Sequence, residues 1–294
     1  MEKKYSLFHI EGGLGKHVLA TAVAQCIKNN HPDRELIIVC AYPEIFLNLD
    51  FVDRVYRLGM TPYFYDDFIN NKDTMVFKHE PYFTDDHIHK RLHLLLNWCK
   101  LHNLKYNNEQ PVLKFNIRQL QIAHGKWLRE KPVMVIQTNG GPLQEQPHTY
   151  SWTRDIPYEV AQKIVEVFSE KYHIIQVCRH EHNSLPNVEV VHEPLSNMEL
   201  FSMLLASEKR LLIDSSLQHA SAALGLQSTV LWVGTSPVVF GYGLHKNIVA
   251  TLPNTVKLPD SYLFDYDFNG TTHECPMFDN NIFNLDEIVE SLQN

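Results

Sequence analysis

The run at residues 211–242, LLIDSSLQHASAALGLQSTVLWVGTSPVVFGY, admits few folds. Leu211-Leu212-Ile213 is short and apolar enough for a buried strand, and it stops at Asp214-Ser215-Ser216, residue types that turn a chain and cap a helix. Residues 217–224 are Ala-rich without β-branched side chains, Gly225 is suited to end a helix, and residues 229–233 (TVLWV) make the next strand. In such a unit the free N–H groups of the helix's first turn, with the helix dipole, point beyond the strand ends, where an anion fits. Ser215 and Ser216 let a ligand approach the backbone, and His219, one turn on, is expected to face the same crevice. The spacing serves equally well an ordinary buried unit in which Asp214 and Ser215 only cap the helix.

The pattern of strand, glycine turn and helix occurs twice more. Residues 5–10 form a β-rich run, followed by Glu11-Gly12-Gly13-Leu14-Gly15-Lys16-His17 and an amphipathic stretch to residue 30. Its glycines permit positive φ and close backbone approach. Residues 36–40 make a second strand, 50–57 lead into a third, and 74–78 give a strand within an aromatic, weakly periodic stretch at 61–86. Helical spacing of apolar residues follows at 91–101 and 117–128. The pattern then restarts with a strand at 133–137 that opens onto Thr138-Asn139-Gly140-Gly141-Pro142, a helix from Pro157, strands at 174–178 and 188–191, and a helix at 197–206. This predicts two doubly wound α/β domains facing each other across a cleft, at residues 1–130 and 131–280, with a closing helix at 281–294 that could return to the N-terminal domain.

Composition narrows the function classes. A chain of 294 residues with 44% hydrophobic content has room for two such cores, and its formal charge of −8 disfavours broad nucleic-acid coating. Cys26, Cys40, Cys99, Cys178 and Cys275 are odd in number, widely spaced and without a CxxC, as expected of reduced thiols in a cytoplasmic protein. No apolar run approaches a membrane span, and the N-terminal apolar stretch is too short for a signal peptide.

Three short motifs are weak signals. GGLGKH places His17 where a P-loop needs Ser or Thr for magnesium, which argues against ATP hydrolysis; a structural turn with a solvated lysine also fits it. His87 with His89, and His180 with His182, share strand-face spacing but lack further ligands at suitable positions, so no metal site is expected. Tyr63, Phe64 and Tyr65 suit either a stacking surface for a sugar or base, or packing on their own domain.

Taken together, these residues resemble the heptosyltransferase family of glycosyltransferases (family 9), whose fold is GT-B, two Rossmann-like domains. The resemblance is carried by Asp214-Ser215-Ser216-Leu217-Gln218-His219, Ala222-Ala223-Leu224-Gly225, Gly234-Thr235-Ser236-Pro237 and Gly241-Tyr242-Gly243, in order and spacing. Gly12-Gly13-Leu14-Gly15, His31-Pro32-Asp33, the Asn139-Gly140-Gly141 turn, Arg154-Asp155-Ile156-Pro157 and the tail from Cys275 to Leu292 add to it. It implies inverting transfer of a sugar from a nucleotide diphosphate donor to an acceptor hydroxyl, with no metal or other cofactor required. The donor-binding residues it implies are Thr138, Asn139, Gly140, Arg154, Glu181, Asp214, Ser215, Ser216, Leu217 and His219, with Gly12, Gly13 and Gly15 on the acceptor side. The implied acceptor is a glycan or lipid-linked glycan, with a nucleic-acid base or a protein as the alternatives. Two positions depart from the pattern. The family's Gly-Asp, whose aspartate is its proposed base, is Gly15-Lys16 here, and Ser216 stands where the family prefers glycine. A charged lysine cannot accept a proton, so Glu11 or His17 would act as base, or Lys16 itself if burial depressed its pKa. A chain that kept the pocket without the reaction, a silent nucleotide- or glycan-binding GT-B protein, is the alternative.

Overall fold

The computed structural model describes residues 3–140, 154–178, 183–191, 195–252 and 281–293. The chain forms two compact units that divide between Asn116 and Ile117.

The first unit contains strands β1 (Lys4–Ile10), β2 (Glu35–Cys40), β3 (Arg54–Arg57) and β4 (Asp73–Phe77), all parallel, in the order β3-β2-β1-β4. Helices α1 (Leu14–Asn30), α2 (Phe64–Phe68), α3 (Asp85–Ile88) and α4 (Leu94–Leu101) connect and cover them. Alternate β1 side chains point to opposite faces. Phe8 packs edge-on against Trp98 of α4, whereas Tyr5 meets Phe68 of α2, so helices cover both faces. The aromatic stretch at 61–86 is largely a packing device. Phe64 and Phe68 lie against Tyr56 of β3, while Tyr63 and Tyr65 are exposed.

The second unit begins one helix earlier than the sequence pattern suggests. Helix α5 (Ile117–Trp127) precedes strands β5 (Val133–Gln137), β6 (His173–Val177) and β7 (Glu189–Val190), with α6 (Tyr158–Phe168) between β5 and β6. Then come α7 (Asn197–Ala206), β8 (Ser207–Ile213), α8 (Ser216–Ala223), β9 (Thr229–Trp232), α9 (Pro237–Phe240), β10 (Lys246–Val249) and α10 (Leu285–Gln293). Helix α5 belongs here because Trp127 donates its indole N–H to Ser202 of α7 at 3.1 Å and Lys126 pairs with Glu199 at 3.4 Å. The sheet is wholly parallel, in the order β10-β9-β8-β5-β6-β7. Numbered from β5 as the first strand, that is the doubly wound 3-2-1-4-5-6 arrangement.

Met134, Ile136, Leu211, Ile213 and Leu231 form one apolar core with Val160, Ile164 and Phe168 of α6 and with Ile288 and Leu292 of α10. The closing helix therefore packs in the second unit, where Ser291 also hydrogen-bonds Thr229 at 2.9 Å. Its amphipathic stripe lies on the apolar face of β8 and β9. No helix among the described residues is long and apolar enough to cross a membrane.

Candidate functional site

In an open doubly wound sheet, ligands bind outside the carboxyl ends of the strands, where the strand order reverses. In the second unit that point lies between β5 and β8. β5 ends at Gln137 and β8 at Ile213, and the two ends are tied together because Ser215 donates its hydroxyl hydrogen to Gln137 Oε1. Ser215 has extended backbone and is the N-cap of α8, its hydroxyl oxygen accepting from the Leu217 N–H at 3.2 Å. One side chain thus caps the helix and fixes the crevice. Replacing Ser215 by Ala is expected to cost about 1 kcal/mol of stability, measured by chemical denaturation, because it removes this cap.

The loop after β5 is equally fixed. Gln176 donates to the Thr138 hydroxyl at 3.0 Å, Thr138 in turn donates to Asn139 Oδ1 at 2.7 Å, and the Gly140 N–H donates to Asp155 Oδ1 at 3.0 Å. Gly140 is closely approached by its neighbours. A Cβ there would stand 3.3 Å from Ile213 Cδ1 and 3.5 Å from Arg154 Cβ, so Ile213 would have to give slightly. Arg154 is therefore beside the crevice, exposed, and its charge reaches Asp214. Asp214 is buried, which pushes its carboxyl pKa up, while Arg154 and the Thr235 hydroxyl act in the opposite direction. Ser216 is half-buried in the first turn of α8 and Leu217 is buried. His219 is also buried, with Nδ1 2.8 Å from the Tyr242 hydroxyl and Nε2 3.2 Å from Gln218 Nε2. It is anchored within the wall of the site. Glu181, Gly141, His180, His182 and Cys275 lie outside the described residues.

In the first unit the reversal lies between β1 and β4. Glu11, Gly12 and Gly13 follow β1; Gly12 has φ +92° and its Cα faces the Lys16 chain, to which an added Cβ would come within 3.4 Å. Gly13 is the N-cap of α1, and Gly15 lies in its first turn. Glu11 is exposed, its carboxylate 3.6 Å from His9 Nδ1. His17 is fully buried. Its Nδ1–H donates to the Gly13 carbonyl at 2.9 Å and its Nε2 accepts from the Ala41 N–H at 3.2 Å, so both ring nitrogens are engaged and burial lowers its pKa. The base role expected for His17 conflicts with this geometry, since the lone pair a base needs is already bonded to β2's end.

Lys16 is likewise not a solvated lysine, nor the phosphate-seeking lysine of a P-loop. Its side chain is only 6% exposed, pairs with Glu80 from the loop after β4, and passes between two rings, with Nζ 5.1 Å from the Tyr82 centroid and 5.2 Å from that of Trp98. Burial pushes its pKa down to about 8, with the Glu11 carboxylate acting in the opposite direction. It remains cationic at neutral pH, because the adjacent carboxylate and the ring faces favour the ammonium. Lys16 cannot then serve as base there. Glu80 is the residue that sequence reasoning missed.

The chain superposes on a glycosyl transferase family 9 protein from Veillonella parvula with a TM-score of 0.69 at 10% identity, over 100% of this chain and 97% of that one. The fold is GT-B. An E. coli ADP-heptose LPS heptosyltransferase II matches at TM-score 0.62 and 11% identity, over 85% of this GT-B chain and 91% of that one. TibC, a dodecameric iron-containing heptosyltransferase of E. coli solved with ADP-D-beta-D-heptose, matches at 0.68 and 11%, over 100% and 77%. No protein-family model and no curated protein matches the sequence. Among the described residues, no group of three or more His, Cys, Asp or Glu side chains is placed to hold a metal ion, and Cys26, Cys40, Cys99 and Cys178 are buried free thiols.

Proposed function

We propose that this GT-B chain is an inverting glycosyltransferase that moves a sugar from a nucleotide diphosphate donor to a hydroxyl of a glycan or lipid-linked glycan. The observation that carries the donor half is the tie between Ser215 and Gln137 at the strand-order reversal, with the α8 N-terminus and Arg154 beside it. A departing diphosphate gathers negative charge, and preorganised N–H donors with a guanidinium stabilise that charge as it develops. On this reading Ser215, Ser216 and the N–H groups of Leu217 and Gln218 hold the diphosphate together with Arg154, and no metal takes part. Thr138, Asn139 and Gly140 shape the wall beside it, Asp214 lies within electrostatic reach of Arg154, and the resemblance alone assigns Glu181 to the nucleoside. His219 braces the far side through Tyr242.

The acceptor belongs to the first unit, at the turn Gly12, Gly13 and Gly15. The base is a carboxylate at the carboxyl edge of that sheet, since His17 has no lone pair to offer and Lys16 is ion-paired. Glu11 is one such carboxylate.

The Lys16 ion pair is also the observation favouring a second reading, a silent donor-binding protein, because it occupies the place where the resemblance puts a base. A thermal shift scan separates the possibilities. ADP-, UDP- and GDP-sugars at 100 times their Kd are expected to stabilise the protein by about 2.7 kcal/mol, seen as a rise in Tm. Absence of any nucleotide-dependent rise would remove the donor site. Binding without release of nucleoside diphosphate, either to water or to added glycan acceptors and with or without chelator, would select the silent reading.

A further inference from the structure

Given sugar transfer as read above, its missing base can be located. We propose that Glu80 is the general base of the reaction and that Lys16 is a positioning residue that holds its carboxylate. Glu80 leaves the carboxyl end of β4 and Lys16 lies in the first turn of the helix after β1, so the pair spans the strand-order reversal of the first sheet. The backbone on both sides of Glu80 is clamped by α4: Trp98 donates to the His79 carbonyl at 3.1 Å and Asn97 to the Pro81 carbonyl at 3.0 Å. The side chain is held at Oε2 by the Lys16 ammonium, itself boxed by Tyr82 and Trp98. Oε1 carries no protein hydrogen bond among the described residues, and the side chain is 28% exposed. A carboxylate with one oxygen fixed and the other without a protein hydrogen bond, on a partly exposed side chain, meets the positional demand on a base, which must reach its proton within hydrogen-bond distance.

Glu11 lacks that restraint. Its side chain is 56% exposed and its near neighbour, His9, is beyond hydrogen-bond range at 3.6 Å. In the step proposed, Glu80 Oε1 takes the proton of the acceptor hydroxyl as that oxygen bonds the anomeric carbon. The bond from the anomeric carbon to the diphosphate oxygen breaks, and its electron pair leaves with the nucleoside diphosphate. Glu80 then returns the proton to solvent.

The alternative role for Glu80 is neutralisation of a buried lysine, and a charge-removal cycle distinguishes the two. The probes are ADP-heptose and a panel of UDP- and GDP-sugars with water as the acceptor hydroxyl, so that release of nucleoside diphosphate by donor hydrolysis is the rate and donor-induced change in Tm is the binding readout. Glu80→Gln is expected to lower kcat by about 10²–10⁴-fold, with the donor-induced change in Tm retained. The double variant Lys16→Met/Glu80→Gln, which carries no unpaired charge, is expected to stay equally inactive. Recovery of the double variant to within a few-fold of wild type would show that Glu80 only neutralises Lys16, and would overturn the proposal. So would an unchanged kcat in Glu80→Gln, or a comparable loss in Glu11→Gln alone. Wild-type protein that shows no nucleotide-dependent change in Tm would overturn the donor reading itself, an outcome separate from those that fail on Glu80.

Discussion

Trp98→Ala is expected to destabilise the protein by about 3–5 kcal/mol, the range for truncating a buried tryptophan. The indole is fully buried and does three things at once. It packs edge-on against Phe8 of the central strand with ring centroids 5.4 Å apart, presents a face to the Lys16 ammonium, and donates to the His79 carbonyl one residue before Glu80. Alanine leaves a cavity and an unbonded carbonyl, and it removes one wall of the lysine box. Trp98→Phe keeps most of the apolar volume and should cost less, about 1–2 kcal/mol, chiefly through the lost hydrogen bond. Urea unfolding of both variants measures the difference. The donor-induced change in Tm should survive in both, because we place the donor on the second unit. A loss below 1 kcal/mol in Trp98→Ala would mean that the box is not built around this ring.

That box was invisible in the sequence for a definable reason. Lys16 and Glu80 are 64 residues apart, and the strand read at 74–78 puts Glu80 in the loop that follows without indicating its partner. Local pattern located what local pattern causes. Most strands of both sheets were legible as short apolar runs, and the turns after β1, β5 and β8 as Gly, Ser and Asp clusters. It failed where tertiary partners decide. β8 begins at Ser207 rather than Leu211 because Arg210 is buried while donating to the Ser207, Leu204 and Gln227 carbonyls, a role its charge conceals. β10 is an edge strand with one buried residue, Ile248, and carries no apolar run. α5 joined the second unit through Trp127 and Ser202, 75 residues apart.

His17 shows the same limit within the site. Adjacent to Lys16, it shares the signal of a glycine turn followed by polar residues. Yet successive residues of a helix point about 100° apart. That rotation sends Lys16 toward Glu80 and His17 inward beneath the end of β2, where it latches Gly13 to Ala41. Sequence reading could list the polar residues of the turn without deciding which of them faced a substrate.

The buried histidines lead to a pH prediction of similar size. Burial pushes both His87 and His102 down to about 4, from an ordinary value of 6.5, and His102 is lowered further by His79. Both belong to the first unit, as does His17, which is lowered in the same direction. Below pH 6.5 the unfolded chain takes up protons that the folded chain refuses, so the unfolded state binds more protons and stability rises with pH. The contribution is complete above pH 6.5 and is lost as the pH falls toward 4, where the folded histidines begin to charge. For His87 and His102 together it amounts to about 3 kcal/mol after discounting for partial solvent screening. Carboxylates titrate across part of the same range, so wild type alone does not isolate the histidines. The variant His87→Leu/His102→Leu does, since the carboxylates are common to both proteins. Denaturation midpoints at pH 7.5, 6.5, 5.5 and 4.5 should fall more steeply for wild type than for the double variant, with the gap opening between 6.5 and 4.5. Parallel pH profiles would show that these rings titrate alike in the folded and unfolded protein, contrary to the desolvation of buried His87 beside Tyr82 and of half-buried His102 beside Phe8 and Phe77.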